Sequence, residues 1–335
     1  MTRIETPASL MEIVNGFRLS RIILTAHELR IFDHLEGKSI SSFDMASLIG
    51  ADKRATDRLM NVLVSLGLLE KRHDLFTTSL FADKYLTSSS PAFLGGLGHA
   101  ADLWRKWDTL TAVIRKGSAI DIEDDFNERG PQWLEAFIAA MHTRGVSQGQ
   151  ELASLLDLSG VKRTLDVGGG SGAFTFAFIE KDPAIQSVVF DLPKVIPITQ
   201  KYIDRYHHGA NVTTMAGDYH TDSFGKGYDL VLMSAIIHIN NPPENKMLIK
   251  KGADSLAPGG MLVIMDHLMN EDRTEPQQGA VFAINMLVGT KQGDTYTADE
   301  IKGWMQDAGL QDISILDATS GTQYIIGIKP ITINQ

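Results

Sequence analysis

The residues with the clearest chemical meaning form a glycine-rich turn near the middle of the chain. The apolar run Thr164–Val167 contains Asp166 and is followed by Gly168, Gly170 and Gly172. Glycine reaches positive φ without strain and lets a ligand approach the backbone closely. A helix that starts after the turn presents unpaired backbone N–H groups to such a ligand. The pattern predicts a loop that binds a nucleotide-like cofactor.

Two classes of cofactor are compatible with this loop. Gly168, Gly170 and Ala173 satisfy the alanine variant of the dinucleotide fingerprint. Asp191 ends the next predicted strand, about where that fold carries its ribose-binding acid. The G-x-G-x-G spacing that ends at Gly172 instead resembles the first motif of class I methyltransferases, which use S-adenosylmethionine (SAM). The loop alone leaves a nicotinamide-dependent dehydrogenase and a methyltransferase open.

The motifs that follow the loop narrow the choice. Phe190–Pro193, Gly217–Tyr219 and Pro258–Gly260 come in that order, each next to a predicted strand. Together with the glycine loop they resemble the plant-type O-methyltransferase family and its bacterial small-molecule relatives, over nearly the whole chain. The resemblance implies a SAM-dependent O-methyltransferase that methylates a hydroxyl group of a small, aromatic metabolite and releases S-adenosylhomocysteine (SAH).

The resemblance also implies where the cofactor binds. Gly168 and Gly170 would line its methionine end, and Asp191 would hold the ribose hydroxyls. Asp218 and Tyr219 would lie at the adenine, although an alternative role for Asp218 is to close the turn after the strand. The full set of predicted cofactor-binding residues is Asp166, Gly168, Gly170, Asp191, Leu192, Gly217, Asp218, Tyr219 and Ser234.

A histidine and an acid at two further strand ends are the candidates for catalysis. His238 follows the fourth predicted strand, at the carboxyl edge where ligands bind in such sheets. The resemblance implies that His238 is the general base that removes the proton of the acceptor, and that Asp266 orients its ring. The alternatives are a strand-end histidine satisfied by its neighbours and an acid that caps a turn.

The chain departs from the resembled family near these residues. Ile239 and Asn240 stand where an acid and a tryptophan usually follow the histidine. Thr295, with Asp294 beside it, stands where a second orienting acid is expected. A threonine cannot supply the charge, so the two-acid clamp is incomplete. N-methylation, C-methylation and SAM binding without methyl transfer therefore stay open.

The acceptor pocket is the least defined part of the prediction. Aromatic and methionine stripes at helical spacing usually pack in a core. In the resembled family, however, the segment 99–150 covers the acceptor site. The candidate acceptor-binding residues are Trp133, Phe137, Met141, His142, Asn285 and Met286. No cluster of metal-ligating residues is visible, and a metal-independent enzyme is expected.

The first part of the chain is predicted to form a module of its own. Over residues 1–98 the pattern predicts a long helix from 8 to about 36, a short helix from Ser41, a helix Asp52–Leu66, and a hairpin around His73. This is a winged helix-turn-helix. A DNA-binding regulator would need a basic face, whereas acidic and basic residues are equal in number over 1–95. The resemblance implies that this module forms a homodimer.

The remaining chain is predicted to hold the cofactor. Residues 99–150 form helical connectors around an acidic loop at 121–129. From 151 to 335 strands and helices alternate, which predicts an α/β, Rossmann-like, mostly parallel sheet of seven strands. The last two segments, 312–316 and 323–328, flank a Ser320–Gly321 turn and predict an antiparallel closing hairpin. Class I methyltransferases have such a hairpin and the dinucleotide fold lacks it.

Bulk composition limits the partners. The chain has 335 residues, a formal net charge of −10 and no cysteine. The negative charge argues against nucleic acid or an anionic membrane as a partner, and the absence of cysteine excludes disulfides and thiolate chemistry. The N-terminus lacks the apolar core of a signal peptide. We expect a cytoplasmic enzyme with a small-molecule acceptor.

Overall fold

The structure, a computed structural model, describes residues 3–120, 130–318 and 322–331. Its contacts divide the chain into a first unit, Met1–Arg105, and a second unit, Lys106–Gln335. No helix among the described residues is long and apolar enough to cross a membrane. The predicted acidic loop at 121–129 and the predicted Ser320–Gly321 turn lie outside these residues.

The first unit consists of one long helix and several shorter ones around a small sheet. Its elements are α1 (Pro7–Glu28), α2 (Ile31–Leu35), β1 (Ile40–Ser41), α3 (Ser42–Leu48), α4 (Lys53–Ser65), β2 (Leu69–Arg72), β3 (Leu75–Thr78) and α5 (Leu80–Tyr85), followed by α6 (Leu97–Asp108), which continues into the second unit. Helix starts follow side-chain caps: Ser41, Asp52 and Ser79 each accept a backbone N–H of the next helix.

The predicted winged-helix order is present in the first unit, with two differences. The predicted long first helix is interrupted at Arg30, whose φ of 54° is left-handed and ends the run between α1 and α2. Periodicity continues across the break, which explains why the pattern missed it. Strand β1 was not predicted; it pairs with β3 through Ile40 and Phe76 and completes a three-stranded sheet.

The second unit contains the large sheet and the helices that cover it. Its elements are α7 (Leu110–Lys116), α8 (Pro131–Leu155), β4 (Arg163–Val167), α9 (Ala173–Lys181), β5 (Gln186–Asp191), α10 (Ile196–Tyr206), β6 (Val212–Ala216), β7 (Tyr228–Ser234), α11 (Pro242–Ser255), β8 (Leu256–Met265), β9 (Leu268–Met269), α12 (Gln277–Gly289), β10 (Tyr296–Thr297), α13 (Ala298–Asp307), β11 (Gln311–Asp317) and β12 (Gln323–Ile328).

The seven-stranded sheet has the order β11-β12-β8-β7-β4-β5-β6. Strands β4 to β8 run parallel. Strand β12 pairs antiparallel with β8, and β11 pairs antiparallel with β12, which gives the predicted closing hairpin. In the centre, Leu165 of β4 lies between Val188 of β5 and Val231 of β7. Strands of this kind are buried on both faces and read as nearly continuous apolar runs, which is why the sequence showed them.

The proline and glycines of Ala257–Gly260 predict a break before the strand that follows them, and this prediction is wrong. This segment belongs to β8, and the pairing with β7 jumps from Tyr228–Leu256 to Leu230–Met261. The extra residues of β8 form an irregularity within the strand, and Gly259 adopts a φ of 81° there. The proline and glycines that predicted a loop therefore mark a distortion at the start of a strand.

A two-stranded pair outside the large sheet brings a late loop towards the sheet edge. Leu268 and Met269 of β9, just past the end of β8, pair in parallel with Tyr296 and Thr297 of β10. Thr297 then caps α13 and forms a capping box with Glu300. The pairing fixes the segment that immediately precedes Tyr296.

Candidate active site

The glycine loop connects β4 to α9 through three left-handed residues. Gly168, Gly170 and Gly172 have φ values of 68°, 57° and 82°. The Gly168 N–H donates to the Phe190 carbonyl of β5 at 2.8 Å, which joins the loop to the neighbouring strand end. A Cβ on Gly168 would come within 2.8 Å of the Ile236 side chain. Glycine is therefore required by backbone conformation and by space.

Asp191, at the end of β5, organises the backbone around the loop. One carboxylate oxygen accepts the Gly170 N–H at 2.8 Å and the other accepts the Leu192 N–H at 2.7 Å. The Asp191 carbonyl accepts the N–H of Gly217, which follows β6. Burial raises the pKa of the Asp191 carboxyl to about 6. Each carboxylate oxygen keeps a second lone pair for a hydroxyl donor.

Asp166 lies behind the loop. It is 2% exposed, and the Thr175 hydroxyl donates to its Oδ2 at 3.0 Å. Its Oδ1 is buried without a hydrogen-bond partner among the described residues. Burial, together with the nearby charge of Asp191, raises the pKa of Asp166 to about 7. A Cβ on Gly169 would lie 2.7 Å from its carboxyl carbon, so Asp166 supports the underside of the loop.

The segment after β6 forms a tight turn. The Asp218 carboxylate accepts the His220 N–H at 2.8 Å, the geometry of the turn-closing alternative. The Tyr219 hydroxyl donates to the Asn240 side chain at 3.3 Å, and burial raises the pKa of Tyr219 to about 12. This bond joins the end of β6 to the segment that follows His238. Ser234, half-buried, is the last residue of β7.

His238 lies in a single 3₁₀ turn (Ile237–Ile239) after β7 and is paired with Asp266 after β8. Its Nδ1 is 2.7 Å from one Asp266 oxygen and 3.0 Å from the other, and its backbone N–H donates to the same carboxylate at 3.2 Å. The two side chains are 11% and 3% exposed. Asp266 is the polar partner of the imidazole among the described residues.

Asp266 is held in its charged form. Burial alone would raise the pKa of its carboxyl, but the imidazole of His238 and the backbone N–H of His267 outweigh burial and lower it. The carboxylate accepts Nδ1–H, and Nε2 of His238 then carries the lone pair. Such a ring can take a proton on Nε2.

The backbone of His238 is fixed from the opposite side by the segment that precedes β10. The Asp294 N–H donates to the His238 carbonyl at 3.0 Å. Gly293 packs so closely that a Cβ would lie 2.4 Å from the same oxygen. Arg273 supports this segment by donating to the Thr295 carbonyl at 2.6 Å and to both oxygens of Glu300.

The structure agrees with the prediction that no second acid orients His238 from the segment around Thr295. Thr295 is 2% exposed, while the side chain of Asp294 is 52% exposed and faces Arg273 at 3.7 Å. Neither supplies a carboxylate to the imidazole of His238. The contact with His238 from this segment is made by backbone.

Two residues that the sequence analysis missed, His267 and Phe282, lie beside the imidazole of His238. The ring of His267 lies 3.9 Å, centroid to centroid, from that of Phe282, and Phe282 meets His238 edge-on at 4.9 Å. Burial lowers the pKa of His267. A signal was available for both: His267 directly follows Asp266, and Phe282 lies one helical turn before Asn285 and Met286.

The predicted acceptor residues fall into two groups. Trp133 and Phe137 of α8 stack at 5.2 Å and pack against α10 residues that include Ile198. Met141, on the same helix, is half-buried. On α12, Asn285 accepts the Trp107 indole N–H at 2.9 Å, and Met286 is 7% exposed.

His142 contacts the glycine loop. Its Nδ1 is 2.9 Å from the Ser171 hydroxyl, and its Nε2 is 2.9 Å from the Tyr206 hydroxyl of α10. Neither partner is a residue predicted to bind the acceptor. Among the residues that the structure describes, no group of three or more His, Cys, Asp or Glu side chains is arranged to hold a metal ion.

Comparison with known proteins identifies the family. Residues 124–311 match the model of the O-methyltransferase domain, and residues 11–88 match the O-methyltransferase dimerisation domain. The chain belongs to the O-methyltransferase family. This membership confirms the predicted enzyme class, a methyltransferase that depends on SAM, and decides against the dehydrogenase and the DNA-binding regulator.

Individual relatives agree with this assignment over most of their length. The 3-hydroxy-5-methyl-1-naphthoate 3-O-methyltransferase of Streptomyces sahachiroi is 28% identical over 331 residues, covering 96% of this chain and 95% of that protein. The L-tyrosine C(3)-methyltransferase of Streptomyces lavendulae is 27% identical and covers 81% and 78%. The human N-acetylserotonin methyltransferase in complex with SAM has the same fold, with a TM-score of 0.80, 23% identity and coverage of 98% and 100%.

The buried acid behind the glycine loop makes the stability of the protein dependent on pH. The folded-state pKa of Asp166 is about 7, above the ordinary value of 3.8. The stabilising contribution of the neutral carboxyl is present below the lower value and is lost as the pH rises through the higher one. Relative to Asp166→Asn, the wild type should therefore lose roughly 2–3 kcal/mol of unfolding free energy between pH 5 and pH 8.

Urea denaturation at both pH values measures this difference. Asp299→Asn, at an exposed carboxylate of α13, is the control and should follow the wild type. If the unfolding free energies of wild type and Asp166→Asn changed equally between pH 5 and pH 8, the prediction would be contradicted.

The close approach of Gly293 predicts a catalytic defect. Gly293→Ala forces the segment away from the His238 carbonyl, because the new Cβ would lie 2.4 Å from it. A displacement of about 1 Å can reduce the rate roughly 10²-fold, and we expect a loss of that order in kcat. Gly289→Ala is the matched control, since nothing lies within 4 Å of its Cβ position. Equal rates for the two variants would exclude a role for this contact.

Proposed function

We propose that the protein transfers the methyl group of SAM to a hydroxyl group of a small aromatic metabolite, with His238 as the general base. The observation that carries the proposal is the 2.7 Å contact between His238 Nδ1 and Asp266. It leaves Nε2 as the basic atom, at the edge of the sheet where the glycine loop begins.

His238 and Asp266 divide the work of proton removal. The hydroxyl proton of the acceptor passes to Nε2 of His238 as its oxygen becomes nucleophilic. Asp266 keeps the ring in the required tautomer and stabilises the imidazolium that forms. When bound, SAM supplies an electrophilic methyl group on a sulfonium. The protein must hold the acceptor in line with that methyl group, a positioning effect that can contribute about 7–11 kcal/mol.

The predicted SAM-binding residues stay part of this proposal, with roles that follow from their positions. The left-handed Gly168 and Gly170 shape the turn that would hold the ligand, and Asp191 offers its remaining lone pairs to the ribose hydroxyls. Asp166 supports the loop from behind. The other proposed contacts lie at the neighbouring strand ends: Leu192, Gly217, Asp218, Tyr219 and Ser234. These residues fit a nucleoside at the sheet edge.

The proposed acceptor is aromatic because aromatic rings border the proposed base. The rings of Phe282 and His267 contact each other at a tilt beside His238. A planar acceptor can pack against such rings in an offset or edge-on arrangement. Asn285 and Met286 continue the same helix. Trp133, Phe137 and Met141 are proposed to contact the acceptor from α8. The names of the relatives, which include a hydroxynaphthoate enzyme, favour the same class of compound.

The proposed domain organisation keeps the predicted limits: a dimerisation domain at 1–98, a connector at 99–150 and a SAM-binding domain at 151–335. We propose a homodimer formed through the first of these, which includes the dimerisation match. The apolar side chains that α1 exposes support it, because contiguous exposed apolar surface marks association sites. They are Leu10, Met11, Ile13, Val14, Phe17 and Leu19. The cytoplasmic location stays a prediction.

C-methylation is the second candidate function. A relative over 81% of this chain is named as a tyrosine C(3)-methyltransferase, and the buried Thr295 stands where a second orienting acid is expected. A phenolic acceptor deprotonated by His238 can react at oxygen or at a ring carbon. NMR of the methylated product separates the two outcomes, because an O-methyl and a C-methyl carbon resonate at different shifts.

Calorimetric titration with SAH, with NADH in parallel, tests the cofactor assignment on the purified protein. We expect micromolar binding of SAH and no binding of NADH. Binding of NADH alone would refute the proposed site.

Replacement of the base should separate catalysis from cofactor binding. For His238→Ala we expect kcat to fall about 10²–10⁴-fold, the range of general-base catalysis, with the SAH dissociation constant nearly unchanged. His208→Ala, at a histidine after α10, is the control. An unaltered rate in single-turnover assays would remove His238 from the mechanism.

Replacement of the orienting acid should act through charge rather than size. Asp266→Asn keeps the volume but removes the negative charge beside the imidazole and disturbs its tautomer, so kcat should fall about 10²–10⁴-fold. Asp299→Asn serves as control, since its carboxylate is 71% exposed. Initial rates at saturating SAM measure the effect, and a change below threefold would argue that Asp266 is structural.

A further inference from the structure

The glycine loop is held by side chains on the side that faces α8 and α10, as well as by Asp191. The Thr199 hydroxyl of α10 donates to the Gly170 carbonyl at 2.6 Å. The next residue, Ser171, is 5% exposed, and its hydroxyl lies 2.9 Å from Nδ1 of His142. Ser171 thus has its hydroxyl turned into the protein, between two left-handed glycines. The sequence analysis did not predict this contact between Ser171 and His142.

His142 itself is held firmly. Its Nε2 is 2.9 Å from the Tyr206 hydroxyl, and its ring packs against Tyr202 at a centroid distance of 4.3 Å. Burial, aided by the charge of Arg205, lowers the pKa of His142 to about 4, so the ring is neutral at pH 7. A neutral imidazole has one N–H and one lone pair, and each hydroxyl partner can donate or accept. Both ring nitrogens are therefore satisfied.

The helix that carries His142 cannot move independently of the loop. About one and two turns later, Gly145 and Gly149 let α8 pack directly on the start of α9. A Cβ on Gly149 would lie 3.0 Å from Phe174 Cα and 3.2 Å from the Ala173 carbonyl. This backbone-to-backbone packing fixes the distance between α8 and the end of the glycine loop.

We propose that His142 is a positioning residue for the cofactor, which fixes Ser171 and through it the glycine loop in the conformation that binds SAM. This differs from the acceptor-binding role that the sequence predicted for it. The inference rests on the proposed assignment of the loop to SAM. His142 preorganises the loop, so its loss weakens cofactor binding without touching the base at His238.

Two substitutions of His142, each of which replaces only one of its ring nitrogens with an amide, test whether the residue positions the glycine loop. The amide of Asn occupies the place of Nδ1, whereas the longer Gln reaches the place of Nε2. By calorimetric titration with SAH, His142→Asn should stay within about threefold of the wild type. His142→Gln should bind about tenfold more weakly, the effect of one lost hydrogen bond of about 1.4 kcal/mol. Thr143→Ala, the exposed neighbour on α8, should bind as the wild type does.

Ser171→Ala tests the same bond without altering α8. It should weaken SAH binding as much as His142→Gln, and the double variant should bind no more weakly than either single one, because both remove the same contact. Equal affinities for the Asn and Gln variants, or wild-type affinity for Ser171→Ala, would overturn the proposal. Absence of SAH binding by the wild type would refute the cofactor assignment itself, which separates the two failures.

Discussion

The parallel pairing of β4 with β5 and β7 is the constraint on which the rest of the site depends. It aligns the carboxyl ends of three strands at one edge, and β8 adds a fourth. Asp191 is the last residue of β5, and the glycine loop, His238 and Asp266 follow the ends of β4, β7 and β8 within one to a few residues. Their mutual positions are thus fixed by backbone hydrogen bonds in a buried sheet, which is the most rigid part of such a fold.

The orientation of His238 combines the side-chain hydrogen bonds to Asp266 with several backbone contacts. Asp266 supplies the only carboxylate to the imidazole within the described chain, and the segment Gly293–Thr295 holds the carbonyl of the same residue. Arg273 links that segment to the first turn of α13 through Glu300. A second acid would place another negative charge beside the imidazole, whereas the backbone hydrogen bond from Asp294 only holds His238 in place. In this chain the segment before β10 therefore positions His238 without adding charge to its surroundings.

The sequence predicted the parts of this structure that depend on local pattern. The apolar run Thr164–Val167 and the strand predicted to end at Asp191 located parallel strands, and the closing hairpin followed from two segments near the C-terminus. The break at Arg30 and the irregular start of β8 were missed, because a left-handed residue or an in-strand distortion leaves hydrophobic periodicity intact. Contacts between distant segments, such as His142 with Ser171, depend on packing that no local pattern encodes.

The helix α12 buries Gly279, Met286 and Val288, while residues 282–285 are half-buried and include Phe282, whose ring contacts those of His238 and His267. The proposed proton-transfer pair belongs to strand ends, so the two sets of residues belong to different elements. Substitutions on this helix can alter the surface offered to an acceptor while leaving the sheet pairing intact. Within this architecture, the range of accepted substrates can therefore change through substitutions on one helix, while the residues that perform the chemistry at the strand ends stay the same.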